Sequence, residues 1–220
     1  IQALLDAYNQ EDLFSGAILV KKEGETIYEN AFGYANREWG IENKLDTRFR
    51  IASVGKMFTA VGVMKLVDYG LIGLDSKVVE ILELGETKIP ESVSIYHLLT
   101  HTSGLCDYYD ESTGYDGWDN FIEENTLHKL ATHKDFLKLF MNKEPENKPG
   151  EKHKYNNGGY ILLAMVIEKV AEMEFSDFIK NYIFAPLKMS DTEYSRLDHI
   201  QKRTAEGYMK LYDDEDRVIG

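Results

Sequence analysis

One stretch of this chain constrains its fold more than any other: Ile51-Ala-Ser-Val-Gly-Lys-Met-Phe-Thr-Ala-Val-Gly-Val-Met64. Drawn as a helix, it carries apolar side chains on nearly every side, and a helix of that kind belongs inside a folded body. The pattern predicts a helix over residues 51–69, stopped by Gly70. Such a helix needs elements to cover it. A chain of 220 residues can supply them as one large domain or two intimate subdomains. With 43% hydrophobic and 29% charged residues, disorder of the whole chain is excluded.

The remaining elements are read around that helix. Residues 1–9 place Ile1, Leu4, Leu5 and Tyr8 on one face of an amphipathic helix. Strand-like runs over 17–22 and 26–34 flank the turn Glu23-Gly24-Glu25 and predict a hairpin. A lone hairpin is marginal in water, so it must pack on the first helix or pair with further strands. The later sequence offers no convincing strand. Helices are expected over 93–102, with Ser92 or Ser94 as cap, and over 135–141, 160–172 and 176–184. Residues 107–120 read as a Tyr-, Asp- and Gly-rich loop, 143–155 as a polar connection, and the end from Arg196 onward is weakly patterned. A strand pair leading into a mainly helical body is an α+β arrangement.

The apolar stretch 51–64 contains one ionisable residue, Lys56. Taking an ammonium out of water is costly and favours the neutral amine, which can act as a base. Ser53 lies three residues earlier, on the same helical face, within reach of that amine. Its place in the first turn offers unpaired backbone N–H groups and the positive end of the helix dipole to a developing negative charge. A serine hydroxyl needs such help to act as a nucleophile. The same letters also fit a capping serine and a lysine that snorkels to solvent.

A second pattern is Pro149-Gly-Glu-Lys-His-Lys-Tyr-Asn-Asn-Gly-Gly-Tyr160, followed by an apolar run. It sets Tyr155 and Asn157 on a Gly-bounded loop leading into a helix. A phenol beside an ammonium gives up its proton more readily, and an Asn amide can hold a substrate amide through both donor and acceptor. A turn with solvent-facing polar groups fits these residues as well.

Together the motifs resemble a known family. Ser53-x-x-Lys56 within Phe49-Arg-Ile-Ala-Ser-Val-Gly-Lys-Met-Phe-Thr-Ala60 resembles the first motif of serine β-lactamases and penicillin-binding proteins. Leu98-Leu-Thr-His-Thr-Ser-Gly-Leu105 resembles a segment of the class C β-lactamase, D-alanyl-D-alanine carboxypeptidase and esterase group. Pro149-Gly-Glu151 and Tyr155-x-Asn157 resemble that group's second motif, and Phe184-Ala-Pro-Leu-Lys-Met-Ser-Asp-Thr192 its continuation, with Lys188 where the group has Gly. All four stand in family order and cover most of the chain.

The resemblance implies a β-lactamase/transpeptidase-like fold and a serine acyl-transfer hydrolase. Ser53 would be the nucleophile, Lys56 and Tyr155 would handle its proton, and Asn157 would hold a D-amino-acid peptide, β-lactam or small ester. Peptidoglycan-like peptides belong to that substrate class, and the reaction needs no metal or organic cofactor. The family's third motif, Lys- or His-x-Gly on a sheet strand, has no counterpart after Tyr155. In the family that strand also gives one oxyanion N–H, a donor whose loss can cost ~10²–10³ in rate. The expectation is one β-lactamase-like domain over 1–220, incomplete at its C-terminal end, with sheet elements in 1–50, a helical region in 51–195 and a weakly patterned 196–220. The alternative is a penicillin-binding or sensor module with impaired turnover.

Charge and composition exclude other classes. The 25 Lys and Arg against 38 Asp and Glu give a net charge of −13, which opposes nucleic-acid backbones and anionic lipid. No stretch is apolar and long enough to span a bilayer. The missing initiator Met fits a removed leader, and a single cysteine, Cys106, fits a cytosolic home or an exported domain alike. His97 and His101 stand at i and i+4, but Leu98 occupies the place where a metalloprotease helix has Glu, so both read as structural. His128, His133, His153 and His199 suggest no shared site. Tyr108, Tyr109, Tyr115 and Trp118 fit a substrate cleft or structural packing, and Asp213, Asp214, Glu215 and Asp216 a solvated turn.

Overall fold

The computed structural model describes residues 1–109, 120–126, 129–196 and 199–208. Tyr115, Trp118, His128 and the acidic run Asp213–Asp216 lie outside the described residues. The chain forms two compact units, one from Ile1–Ala52 with Leu197–Gly220 and the other from Ser53–Arg196.

The first unit begins with α1 (Gln2–Gln10), followed by β1 (Gly16–Lys22) and β2 (Glu25–Phe32). Glu23 and Gly24 both take positive φ, 53° and 87°. Two such residues make the turn whose twist matches an antiparallel pair. The hairpin runs from Gly16 opposite Phe32 to Lys22 opposite Glu25, with an irregularity between Val20 and Lys21. A second small pair, β3 (Tyr34–Asn36) and β4 (Ile41–Glu42), escaped the sequence reading. Asn36 turns the chain between them, its Oδ1 accepting from the Trp39 N–H at 2.7 Å.

Residues 203–205, in the weakly patterned end, are tied to this unit. The Arg48 N–H donates to the Arg203 carbonyl at 2.7 Å, and the Ala205 N–H donates back to the Arg48 carbonyl at 2.8 Å. Among the described residues each sheet has two strands. The hairpin was expected to pack on the first helix or to pair with further strands; Ile1, Leu4 and Tyr8 on the apolar face of α1 are exposed. A polar link joins α1 to the hairpin, from the Tyr28 hydroxyl to Gln2 Oε1 at 2.8 Å. Amphipathic spacing identifies the face a helix can bury, not whether a partner meets it.

The second unit is helical: a 3₁₀ turn (Ala52–Gly55), which begins one residue before it, α2 (Lys56–Asp68), α3 (Val78–Leu82), α4 (Ile95–Leu99), α5 (His133–Leu137), α6 (Asn157–Ala171), α7 (Phe175–Ile179) and a π-helical turn (Lys180–Phe184). Helix α6 is its hub and packs on α2, α3, α4, α5 and α7. Leu162, Leu163, Val166 and Ile167 are fully buried, each worth ~1.5–3 kcal/mol. Gly62 lets α2 approach: a Cβ there would lie 2.9 Å from Ile179 Cδ1 and 3.0 Å from Ile167 Cδ1.

Two expectations need correction. The helix predicted over 51–69 is not buried all round. Phe58, Thr59, Gly62, Val63 and Leu66 face inward, while Val54, Met57, Val61 and Met64 form an exposed stripe. A sequence apolar on every side cannot reveal which side is covered. Helix α6 also starts at Asn157 rather than Tyr160, because the Asn156 side chain caps it by accepting from the Gly159 N–H at 2.7 Å. Asn157 is therefore the first helical residue, not a loop residue.

Candidate active site

Ser53 stands in the 3₁₀ turn that leads into α2. Ala52 before it has φ 43°, a left-handed conformation that costs an alanine energy and bends the chain sharply into that turn. With three residues per turn, a 3₁₀ segment stacks position i+3 over position i. Lys56 accordingly donates from Nζ to Ser53 Oγ at 3.0 Å. The turn is pinned by Tyr194, whose hydroxyl donates to the Gly55 carbonyl at 2.6 Å. Burial pushes the Tyr194 phenol above its ordinary value.

The second segment arrives as extended chain. Asn156 has φ −148° and ψ 120°, so its neighbours Tyr155 and Asn157 project to the same side while Asn156 points the other way. Asn156 is buried, its Nδ2 donating to the Leu105 carbonyl at 2.8 Å. Tyr155 donates its hydroxyl to Ser53 Oγ at 2.7 Å. Asn157 Oδ1 accepts from Lys56 Nζ at 2.8 Å. The ammonium also lies 4.8 Å from the Tyr155 ring centroid and 5.8 Å from that of Tyr160, within cation–π range. All four residues singled out in the sequence thus come together. Ser53 Oγ has two proton-bearing partners; Ser53 is exposed and Lys56 half-buried.

A third segment, 98–107, holds the second. The Lys154 N–H donates to the His101 carbonyl at 2.9 Å, and the Asn156 N–H to His101 Nδ1 at 3.1 Å. Asp107 accepts from the N–H groups of Asn157 and Gly158 at 2.5 and 2.9 Å. The His101 ring lies 4.6 Å from that of Tyr155 and 5.0 Å from that of Tyr160. Desolvation first, then the charge of Lys56 and the neighbouring His153, hold His101 below its ordinary value. Burial, with a contribution from Tyr155, pushes the Tyr160 phenol up.

The sequence reading missed His101, Asp107 and Tyr160. The signal that could have found them was their position within or beside the quoted motifs.

Of the residues set aside, His97, Tyr108 and Tyr109 have plain structural placements. His97 Nδ1 accepts from the Ser94 N–H at 3.2 Å, completing the cap of α4. No group of three metal-ligating side chains occurs among the described residues. Tyr108 packs on Phe136 and Tyr109 on Phe121, with ring centroids 5.3 and 5.9 Å apart. No helix among the described residues is long and apolar enough to cross a membrane.

A helical unit with Ser-x-x-Lys entering one helix and Tyr-x-Asn entering another is of the β-lactamase/transpeptidase-like class. The chain belongs to the Beta-lactamase family, whose model matches residues 1–219. Penicillin-binding protein 4* of Bacillus subtilis is 35% identical over 212 residues, covering 90% of this chain and 44% of that protein. The crystal structure of a penicillin binding protein from Bacillus halodurans superposes with a TM-score of 0.85 at 34% identity, over 97% of this chain and 63% of that one. A D-amino acid amidase from Ochrobactrum anthropi SV3 superposes with a TM-score of 0.77 at 27% identity, over 97% of this chain and 56% of that one. This chain therefore spans less than half the length of the curated relative.

Proposed function

We propose that the chain carries the nucleophile site of a serine acyl-transfer hydrolase acting through an acyl-enzyme on Ser53. The observation that carries this is the meeting of Tyr155 and Lys56 on one hydroxyl oxygen, at 2.7 and 3.0 Å. Ser53 Oγ bonds to the carbonyl carbon of an amide, lactam or ester. Its proton passes to Lys56 or Tyr155, whichever then holds a vacant lone pair, and from there to the leaving nitrogen or oxygen as the scissile bond breaks. The Ser53 backbone N–H supplies one donor to the oxyanion. Asn157, already bonded to Lys56, offers its amide to the substrate. Water then cleaves the acyl–serine ester by the reverse proton path.

The substrate class, a D-amino-acid peptide of peptidoglycan type, a β-lactam or a small ester, rests on the similar proteins. One is named as penicillin-binding and another as a D-amino acid amidase. The test is intact-mass spectrometry of the full-length protein with benzylpenicillin and with a fluorophosphonate, using Ser53→Ala as control. A mass gain mapped to Ser53 supports the reading, and a D-amino-acid amide that is turned over supports the hydrolase. A stable adduct without any turnover assigns a penicillin-binding module instead. No adduct, or one that survives Ser53→Ala, overturns the proposal.

A further inference from the structure

We infer that Asp107 is a positioning residue for this nucleophile site, acting on Lys56 through Asn157. The inference rests on the Ser53 reading above and adds a residue to it. The carboxylate of Asp107 takes three backbone N–H groups. Oδ2 accepts from Asn157 at 2.5 Å, while Oδ1 accepts from Gly158 at 2.9 Å and from its neighbour Tyr108 at 2.7 Å. Asn157 in turn accepts from Lys56 Nζ at 2.8 Å, and Lys56 donates to Ser53 Oγ at 3.0 Å. Asp107 is thus linked to the nucleophilic oxygen by hydrogen bonds on either side of Asn157, through its backbone N–H and its side-chain oxygen.

Capping alone does not account for this arrangement. Helix α6 already has its cap, Asn156, which satisfies the Gly159 N–H. Asp107 takes the two N–H groups that come before it, from a separate segment of chain. Charge-assisted bonds of this kind are short and directional, and the positive end of α6 favours the anion there. The effect is to fix where Asn157 begins the helix, and so where its side-chain oxygen meets the lysine. A shift of about 1 Å at such a group can cost roughly 100-fold in rate.

The test uses Asp107→Asn in the full-length protein. The amide keeps the volume but offers one acceptor and places an NH₂ against a backbone N–H. Two readouts are taken. The first is the amide-proton shift of Asn157 and Gly158, expected far downfield in the wild type and moved upfield in the variant. The second is the acylation rate of Ser53 at saturating benzylpenicillin, expected to fall ~10- to 100-fold per folded molecule, while the half-saturating concentration changes less than about threefold. Asp107→Ser, whose short hydroxyl cannot reach both amides, replaces Asp107→Asn if the latter does not fold. Lost amide shifts with an unchanged acylation rate overturn the inference and leave Asp107 a cap. A wild type whose Ser53 never acylates overturns the functional reading itself, and the positioning role with it.

Discussion

Tyr155 and Ser53, 102 positions apart in the chain, meet with the phenol donating to the hydroxyl oxygen at 2.7 Å. Two local motifs become one site at that contact. Each is unremarkable alone: a serine one short turn from a lysine, and a tyrosine ahead of a capped helix. The contact gives Ser53 a second proton partner beside Lys56, and most of the chemistry proposed for the chain depends on it.

Replacing Tyr155 by Phe removes the hydroxyl and keeps the ring, including its packing on His101. Acylation of Ser53 should slow ~10²-fold or more, the usual scale of a positioned proton carrier. Because Tyr155 is 36% exposed, stability should change by no more than about 0.5 kcal/mol. Stopped-flow acylation and thermal melting of the same samples check this. A variant that acylates at the wild-type rate rules out a proton role for the phenol.

The hairpin was legible because Glu23-Gly24 encodes its turn, and Lys56 over Ser53 because three-residue spacing works in an α- or a 3₁₀-helix alike. Bringing Tyr155 to Ser53 was not readable from spacing, since nothing local links them; it came from the order of motifs. Helix α3, Val78–Leu82, was missed because five residues, Val-Val-Glu-Ile-Leu, carry no period that separates helix from strand. The start of α6 was misread because Asn156-Asn157-Gly158-Gly159 looks like a turn by composition, while its cap bond depends on one side-chain orientation. Spacing alone did not mark Asp107 and His101 as site residues, because each bonds a backbone N–H more than fifty positions away.

His101 should titrate below its ordinary value of 6.5, held neutral by desolvation and by the charge of Lys56, with His153 adding to the effect and Asp107 opposing it. Nδ1 accepts from the Asn156 N–H, so the ring proton sits on Nε2. Protonation would set two N–H groups against each other. Between 6.5 and the lower folded value the unfolded chain binds more protons, so stability is complete above about 6.5 and declines as pH falls towards the folded value. Long-range ¹H–¹⁵N spectra of the imidazole check both points. A proton on Nδ1, or titration at or above 6.5, contradicts this account.

Asp135 should titrate at about 2 instead of 3.8, because it accepts from Lys138 and from the Thr132 hydroxyl and N–H. Its folded value is depressed, so its contribution to stability is present above 3.8 and is lost as pH falls from there towards 2. Thr132→Ala removes one of those donors, the hydroxyl at 2.8 Å, and should move the titration back towards 3.8. Carboxyl-carbon NMR against pH measures it. An Asp135 that titrates identically in the two proteins shows that the Thr132 hydroxyl has no part in the shift.

Gly104 offers the sharpest test of the segment that holds Tyr155. It has φ 72°, and a Cβ there would sit 2.1 Å from the Asn147 carbonyl oxygen. Its own carbonyl accepts from the Glu146 and Asn147 N–H groups at 2.9 and 3.3 Å, so an added methyl must separate the very strands of chain those bonds join. Left-handed strain and backbone overlap act together, and Gly104→Ala should cost more than about 2 kcal/mol. Gly24→Ala makes the control: it also has positive φ, 87°, but a Cβ there meets nothing within 4 Å, so the strain alone should cost about 1 kcal/mol. If denaturant titration gives the two variants equal losses, the close approach at Asn147 is not what requires glycine at position 104. If Gly104→Ala loses more, its folded fraction should also acylate more slowly, because Leu105 and Asp107, the next residues along, hold Asn156 and Asn157 in register with Ser53.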